Sequence, residues 1–226
     1  MSAKGKMMAA KLGQHMEDYL KTIYKLQEES SPVTTKAIAK RMGVSAASVT
    51  SMMKKLAEMG LLQYTRYRGV ILTGKGERVA LEVIRHHRLL ELYLTQEMGM
   101  GWHEVDAEAE ALEHVISEEF EEVMDRALGR PTRDPHGEPI PGRDGSMVAG
   151  ERESLCDLEP GERGTVRRVQ ADDPAFLRYM ASLGIYPEVE VAVMEKAPFR
   201  GPLTVEVAGD RRVLGREAAE KVFVTR

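Results

Sequence analysis

A chain of 226 residues, 42% hydrophobic and 30% charged, is long enough for two or three small domains with real cores. It has no apolar run approaching the roughly 18–20 residues of a membrane span. Its amino terminus has no signal-peptide core, so a cytoplasmic protein without a membrane partner is expected. One cysteine, Cys156, excludes an internal disulfide framework and a multi-cysteine zinc site. The net charge of −4 conceals a division. Residues 1–76 carry 13 Lys/Arg against 5 Asp/Glu, residues 77–151 carry 7 against 18, and residues 152–226 carry 12 against 13. A basic amino-terminal third on an acidic protein predicts a polyanion partner for that third alone.

Residues 1–13 read as a disordered arm. A helix follows from about His15 to Glu29, with Tyr19, Ile23 and Leu26 on its apolar face. A short helix over 36–42, capped by Thr34 or Thr35, is followed by Gly43-Val44 and a helix capped by Ser45. Helix, short glycine-containing turn and helix together are the pattern of a helix-turn-helix. On the second helix Val49, Met53 (or Met52) and Leu56 face inward, while Ser45, Ala47, Ser48, Thr50 and Ser51 form a small, hydrogen-bonding outer face suited to a major groove. Lys54 extends that face, and Thr35 and Lys36 begin the helix before it. Residues 61–73 alternate as a hairpin, with Arg66 and Arg68 at its tip as a wing for phosphates or a minor groove.

The acidic middle predicts one helix over about 76–98 and another over about 102–128. On the first, His87 and Glu91 stand at i, i+4. On the second, Val105, Ala109, Leu112, Ile116, Phe120 and Val123 make an apolar line, with Asp106, Glu110, Glu113 and His114 on the adjacent face. Residues three and four apart on a helix are neighbours, so two carboxylates and an imidazole there can hold a divalent cation. The helix is crowded with glutamate, and the cluster alone is equally a solvated face.

Four segments in order narrow the reading: Met16-Glu17-Asp18-Tyr19-Leu20-Lys21-Thr22-Ile23-Tyr24; Val49-Thr50-Ser51-Met52 with Arg66-Tyr67-Arg68-Gly69; His87-Arg88-Leu89-Leu90-Glu91; and Glu113-His114-Val115-Ile116-Ser117. Together they resemble the diphtheria toxin repressor family of metal-dependent transcriptional regulators. Residues 134–141, Asp-Pro-His-Gly-Glu-Pro-Ile-Pro, resemble that family's proline-rich link.

The resemblance implies a mainly α protein with small β parts. Its domains would be a winged helix-turn-helix DNA-binding domain (1–75), a helical metal-binding and dimerisation domain (76–140), a linker (141–153) and an SH3-like β-barrel (154–226). It implies a primary metal site of Asp18, Glu110, Glu113 and His114 and an ancillary site of His87, Glu91 and Asp106. Iron-responsive members place methionine and cysteine where Asp18 and Glu110 stand, so the implied effector is Mn2+, with Fe2+ as the alternative and other divalent transition metals binding in vitro. Lys21 stands where manganese-type members carry a glutamate, which disfavours their binuclear cluster. The implied partners are a second copy of the chain and a palindromic double-stranded operator.

Residues 129–151 read as a linker with polyproline character. Strands are expected at 163–169, 188–194, 203–208 and 211–214, with a helix near 174–183. Residues 183–187 and 197–203 resemble the small domain named after a ferrous-transport accessory protein, and Gln170, Asp172 and Asp173 are its nearest candidate ligands. Two other readings are a metal-dependent hydrolase using Glu113 and His114 around a bound water and an adaptor docking on a transporter through the barrel. Both leave the basic third unexplained.

Overall fold

A computed structural model describes residues 12–170 and 173–226; most of the expected amino-terminal arm, and Asp172, lie outside the described residues. The chain forms two compact units, divided between Ile84 and Arg85.

The first unit contains α1 (Gln14–Glu29), α2 (Thr35–Met42), α3 (Ala46–Glu58), the hairpin β1 (Leu62–Thr65) and β2 (Gly69–Leu72), and the start of α4 (Gly74–Gln96). Thr34 caps α2 by accepting from the Ala37 N–H, and Ser45 caps α3 by accepting from the Ser48 N–H. Gly43 ends α2 in the left-handed region, where glycine carries no Cβ penalty. Leu20, Ile23, Ile38, Val49, Met53, Leu56 and Val70 form the core these elements share. Gly69 closes the hairpin at φ +113°, and a Cβ there would meet the Val33 carbonyl oxygen at 2.4 Å, so the wing's turn requires glycine.

The second unit takes the rest of α4, then α5 (Val105–Leu112) and α6 (Glu118–Ala127). The expected single helix over 102–128 is two helices. Ser117 turns the chain and caps α6 by accepting from the Phe120 N–H at 3.1 Å, and the β-branched pair Val115-Ile116 just before it favours the break. The expected apolar line divides accordingly. Val105 and Ala109 are buried, whereas Phe120 and Val123 are exposed.

A five-stranded antiparallel sheet follows, ordered β6-β5-β4-β3-β7. Its strands are β3 (Arg163–Val169), β4 (Glu190–Lys196), β5 (Leu203–Val207), β6 (Asp210–Leu214) and β7 (Val222–Thr225), with α7 (Pro174–Ser182) and α8 (Arg216–Ala219) between them. The short β7, which the sequence reading passes over, completes the sheet beside β3. Cys156 is buried, and burial pushes its thiol up. Trp102, from the segment before α5, packs into this module's core with Leu177, Met180 and Ile185. Residues 133–151 are held rather than free: the Arg133 guanidinium donates to both Glu151 carboxylate oxygens. No helix among the described residues is long and apolar enough to cross a membrane.

Candidate metal centre and DNA-binding surface

α4 carries His86, His87 and Glu91 into the interior of the second unit, all buried. The i, i+4 spacing brings His87 Nε2 within 3.4 Å of Glu91 Oε1, and Asp106 Oδ1 from α5 lies 3.4 Å from the same nitrogen. The opposite nitrogen, Nδ1, lies 2.6 Å from Glu113 Oε2 and 3.7 Å from Glu110 Oε2. His114 Nε2 is 3.3 Å from the other Glu113 oxygen. The break after α5 makes this possible. Glu113 sits at the helix's C-cap, buried, with its carboxylate between two imidazoles.

Two groups of metal-ligand type result: His87 with Glu110 and Glu113, and His87 with Glu91 and Asp106. They use opposite nitrogens of one ring. Asp18, the remaining residue of the expected primary site, belongs to α1 of the first unit.

A third group was not expected. Glu91, Asp134 and His136 are all buried and can bring ligand atoms within 4.8 Å of one another. His136 Nδ1 lies 3.7 Å from Glu91 Oε1 and 3.9 Å from Asp134 Oδ1. Reading 129–151 as a linker hides these two residues, although a carboxylate and a histidine two apart in a proline-rich stretch are a visible signal. Of the barrel candidates, Asp173 caps α7 by accepting from the Ala175 N–H, and Gln170 is half-buried.

The electrostatics describe an acid-rich pocket. Burial alone would lower the His87 pKa, but hydrogen bonds to Asp106, Glu113 and Glu91 and the Glu91 charge outweigh it and push it up to about 10. Burial would raise Glu91, yet His87 and His136 hold it below the ordinary carboxylate range. Asp134 goes the other way: burial and the Glu91 charge push it up to about 7, against His136 and Arg88. Burial disfavours the charged form of a carboxyl, and a neighbouring carboxylate adds to that effect. The donors are oxygen and imidazole nitrogen without thiolate, a set suited to a harder divalent cation such as Mn2+. The residues present fit such an ion.

On the first unit, Ser45, Ala47, Ser48, Ser51 and Lys54 are exposed along the outer face of α3, and Lys36 is exposed on α2. Thr35 and Thr50 are half-buried, and the Thr50 hydroxyl donates to the Ala46 carbonyl at 2.8 Å. At the wing, Arg66 and Arg68 are exposed, and Arg66 lies over the ring of Tyr67, itself 90% exposed. That tyrosine, outside the expected contact set, adds an aromatic face between two arginines.

Known proteins match along most of the chain. Residues 11–70 match the iron-dependent repressor N-terminal DNA-binding domain, residues 73–142 the iron-dependent repressor metal-binding and dimerisation domain, and residues 153–226 the FeoA domain. The iron-dependent repressor IdeR of Mycobacterium leprae is 34% identical over 222 residues, spanning 92% of this chain and 95% of that one. This chain belongs to the diphtheria toxin repressor family. Among solved structures, a manganese-dependent transcriptional repressor in complex with manganese is 42% identical with a TM-score of 0.84, covering 93% of this chain and 99% of that one. The manganese regulator SloR is 33% identical with a TM-score of 0.74, covering 93% and 98%. This chain is therefore a metal-dependent, DNA-binding transcriptional repressor of that family and not an enzyme, which sets aside the hydrolase reading. Its matched domains imply DNA and a second copy of the chain as partners.

Proposed function

We propose that this repressor responds to Mn2+, acts in the cytoplasm on genes of metal-ion homeostasis, and binds a palindromic operator as a homodimer. The observation that carries the metal choice is the sulfur-free donor set around His87: Glu91, Asp106, Glu110 and Glu113. Two manganese-named relatives with TM-scores of 0.84 and 0.74 support it. The iron-dependent name of the Mycobacterium leprae relative is the specific observation behind the second reading, Fe2+.

In the proposed mechanism Asp18 joins Glu110, Glu113 and His114 as the primary site, and His87, Glu91 and Asp106 form the ancillary one. Asp18 belongs to the DNA-binding domain and the others to the dimerisation domain, so a shared ion would staple one to the other. Carboxylates collected in one place repel each other strongly when no cation is bound. A bound divalent ion supplies the positive charge that makes one arrangement of the carboxylates favourable. The chain's own contribution is orientation. His86 and Ser117 fix the turn that carries Glu113, and a population shift towards one domain arrangement sets two recognition helices about 34 Å apart, one turn of DNA. Ser45, Ala47, Ser48, Thr50 and Ser51 would read the major groove, while Thr35, Lys36, Lys54, Arg66 and Arg68 hold the backbone.

The test is a metal-by-metal DNA-binding titration, using duplexes selected from a random pool in the presence of Mn2+. Wild type is expected to bind only with metal, at lower free Mn2+ than Fe2+ relative to cellular supply. Asp18→Ala should stay a folded dimer and lose metal-dependent binding. Metal-dependent operator binding by Asp18→Ala would sink the staple, and activation by Fe2+ alone would transfer the chain to the iron-responsive group.

A further inference from the structure

We propose that Tyr67, at the tip of the wing, is a base-reading residue: its ring enters the minor groove beside the bases read by α3 and makes A·T pairs the preferred flanks. The proposal rests on the DNA-binding reading above and gives one residue of that surface a task the recognition helix does not perform.

Tyr67 does not serve the folded chain. Its φ is +65°, in the left-handed region where a bulky side chain is strained and where turns ordinarily place glycine or asparagine. The Arg68 N–H donates to the Thr65 carbonyl at 3.0 Å, so the strained residue lies inside a closed turn. The side chain is 90% exposed, which leaves an aromatic face in water. Exposed apolar side chains taken singly are ordinary, but one that also strains the backbone returns nothing to stability. Strain of this kind persists where the surrounding structure imposes it, and such outliers collect at ligand contacts.

The surrounding structure does impose it. The Val33 N–H donates to the Val70 carbonyl at 3.0 Å, and the Val70 N–H donates to the Val33 carbonyl at 2.9 Å. Gly69 lies so close to that Val33 carbonyl that no Cβ fits. On β2, the Leu72 N–H donates to Gln27 Oε1 of α1 at 2.8 Å. The base of the wing is therefore fixed to α1 and to the segment before α2, while Arg66, Tyr67 and Arg68 stand exposed at its tip.

The composition of the tip selects the groove. Residues 59–76 contain Arg66, Arg68 and Lys75 and no Asp or Glu. The Arg66 guanidinium lies 4.8 Å from the centre of the Tyr67 ring, a cation–π contact that carries ring and charge as a pair. A phosphate alone needs the cations and gains nothing from a ring. The minor groove, about 6 Å wide, offers sugar C–H walls to the ring and phosphates along its edges to Arg66 and Arg68. In A-tracts it is narrower and its potential more negative. Its floor carries the adenine N3 and thymine O2 acceptors, to which a phenol can donate, whereas a G·C pair adds a 2-amino group that intrudes there. Each of these features favours A·T.

The test uses the full chain with metal and duplexes that share one selected core and differ only in the pairs on either side of it. Core selection and binding titrations are run with Mn2+ and, separately, with Fe2+. Wild type should bind A·T flanks about fivefold or more tightly than G·C flanks, the scale of one wrong base pair. Inosine–cytosine flanks, which keep the major-groove face of G·C but lack the 2-amino group, should bind like A·T. Tyr67→Asn, which suits positive φ, should keep or raise the thermal midpoint and reduce the flank ratio to below about twofold. The slope of its affinity against salt should match wild type, since no charge is removed. Equal wild-type affinity for A·T and G·C flanks would overturn the proposal, as would a full flank preference in Tyr67→Asn. A lower thermal midpoint in Tyr67→Asn would return the residue to a structural role, and inosine flanks as weak as G·C would take the ring out of the minor groove; either result overturns it. Binding with one ion and none with the other bears on the metal reading alone, because the flank ratio is then read with the ion that activates.

Discussion

Arg85, buried on α4, directs its three nitrogens to three partners: Glu121 Oε1 at 2.6 Å, Asp125 Oδ1 at 3.0 Å and the Pro141 carbonyl at 2.9 Å. His86 takes the other Glu121 oxygen at 3.2 Å and, through Nδ1, the Glu113 carbonyl at 3.1 Å. Burial would raise the Glu121 pKa, but His86 and Arg85 outweigh it and hold it at about 2, below the usual 4.5. A depressed carboxylate stabilises the fold fully above its unfolded pKa and loses that contribution as pH falls through the folded value. Urea unfolding midpoints should therefore decline between about pH 4.5 and pH 2. Glu121→Gln leaves Arg85 in a buried site with one carboxylate fewer, and about 3 kcal/mol of stability should go with it. A flat stability profile over that pH window, equal in the two proteins, would contradict this account.

At the scale of elements, the turn between α5 and α6 decides the centre's geometry. The helix ends at Leu112, and the Glu113 carboxylate at its C-cap stands between His87 Nδ1 and His114 Nε2. Ser117 is the residue that pins the turn, its hydroxyl capping α6 by accepting from the Phe120 N–H. Ser117→Ala should cost about 1 kcal/mol in thermal or urea unfolding. It should also weaken metal binding, because the turn that holds Glu113 is then less restrained. Sequence periodicity misses the break because both halves are amphipathic with nearly continuous phase. The signal that opposed it, a serine after two β-branched residues, is short and local.

For the molecule as a whole, the charge division assigns separate tasks: the basic unit faces a polyanion, and the acidic unit gathers cations. The apolar residues left uncovered on the helices of the dimerisation domain indicate where a second copy would sit. Val115 is 68% exposed, Val123 52% and Phe120 45%, all within the matched dimerisation domain. Single apolar residues on a surface are ordinary, but three clustered around one turn and helix are not. Val123→Asp should shift the protein towards monomer in sedimentation velocity and weaken DNA binding, since the two half-sites of the proposed palindromic operator would then be bound independently. Retention of the wild-type mass would move the interface elsewhere on the domain.

The helix-turn-helix, its caps and its wing were legible from the chain alone, because they depend on short-range chemistry: Thr34 and Ser45 bonding backbone three residues on, Gly43 and Gly69 taking positive φ, and apolar residues recurring at helical spacing. The candidate metal ligands on α4 and α5 were legible for the same reason, since i, i+4 neighbours meet wherever a helix forms. Asp134 and His136 were not. They lie more than forty residues from Glu91 in a stretch whose composition suggests a linker, and only packing against β3, Trp102 and α4 brings them beside Glu91. Nor could composition tell that one imidazole, His87, would face acids through both nitrogens, because that depends on the approach of two helices. Local propensity and periodicity decided which residues could act. The tertiary fold decided which of them meet, since desolvation and charge coupling arise only between groups that burial has brought together.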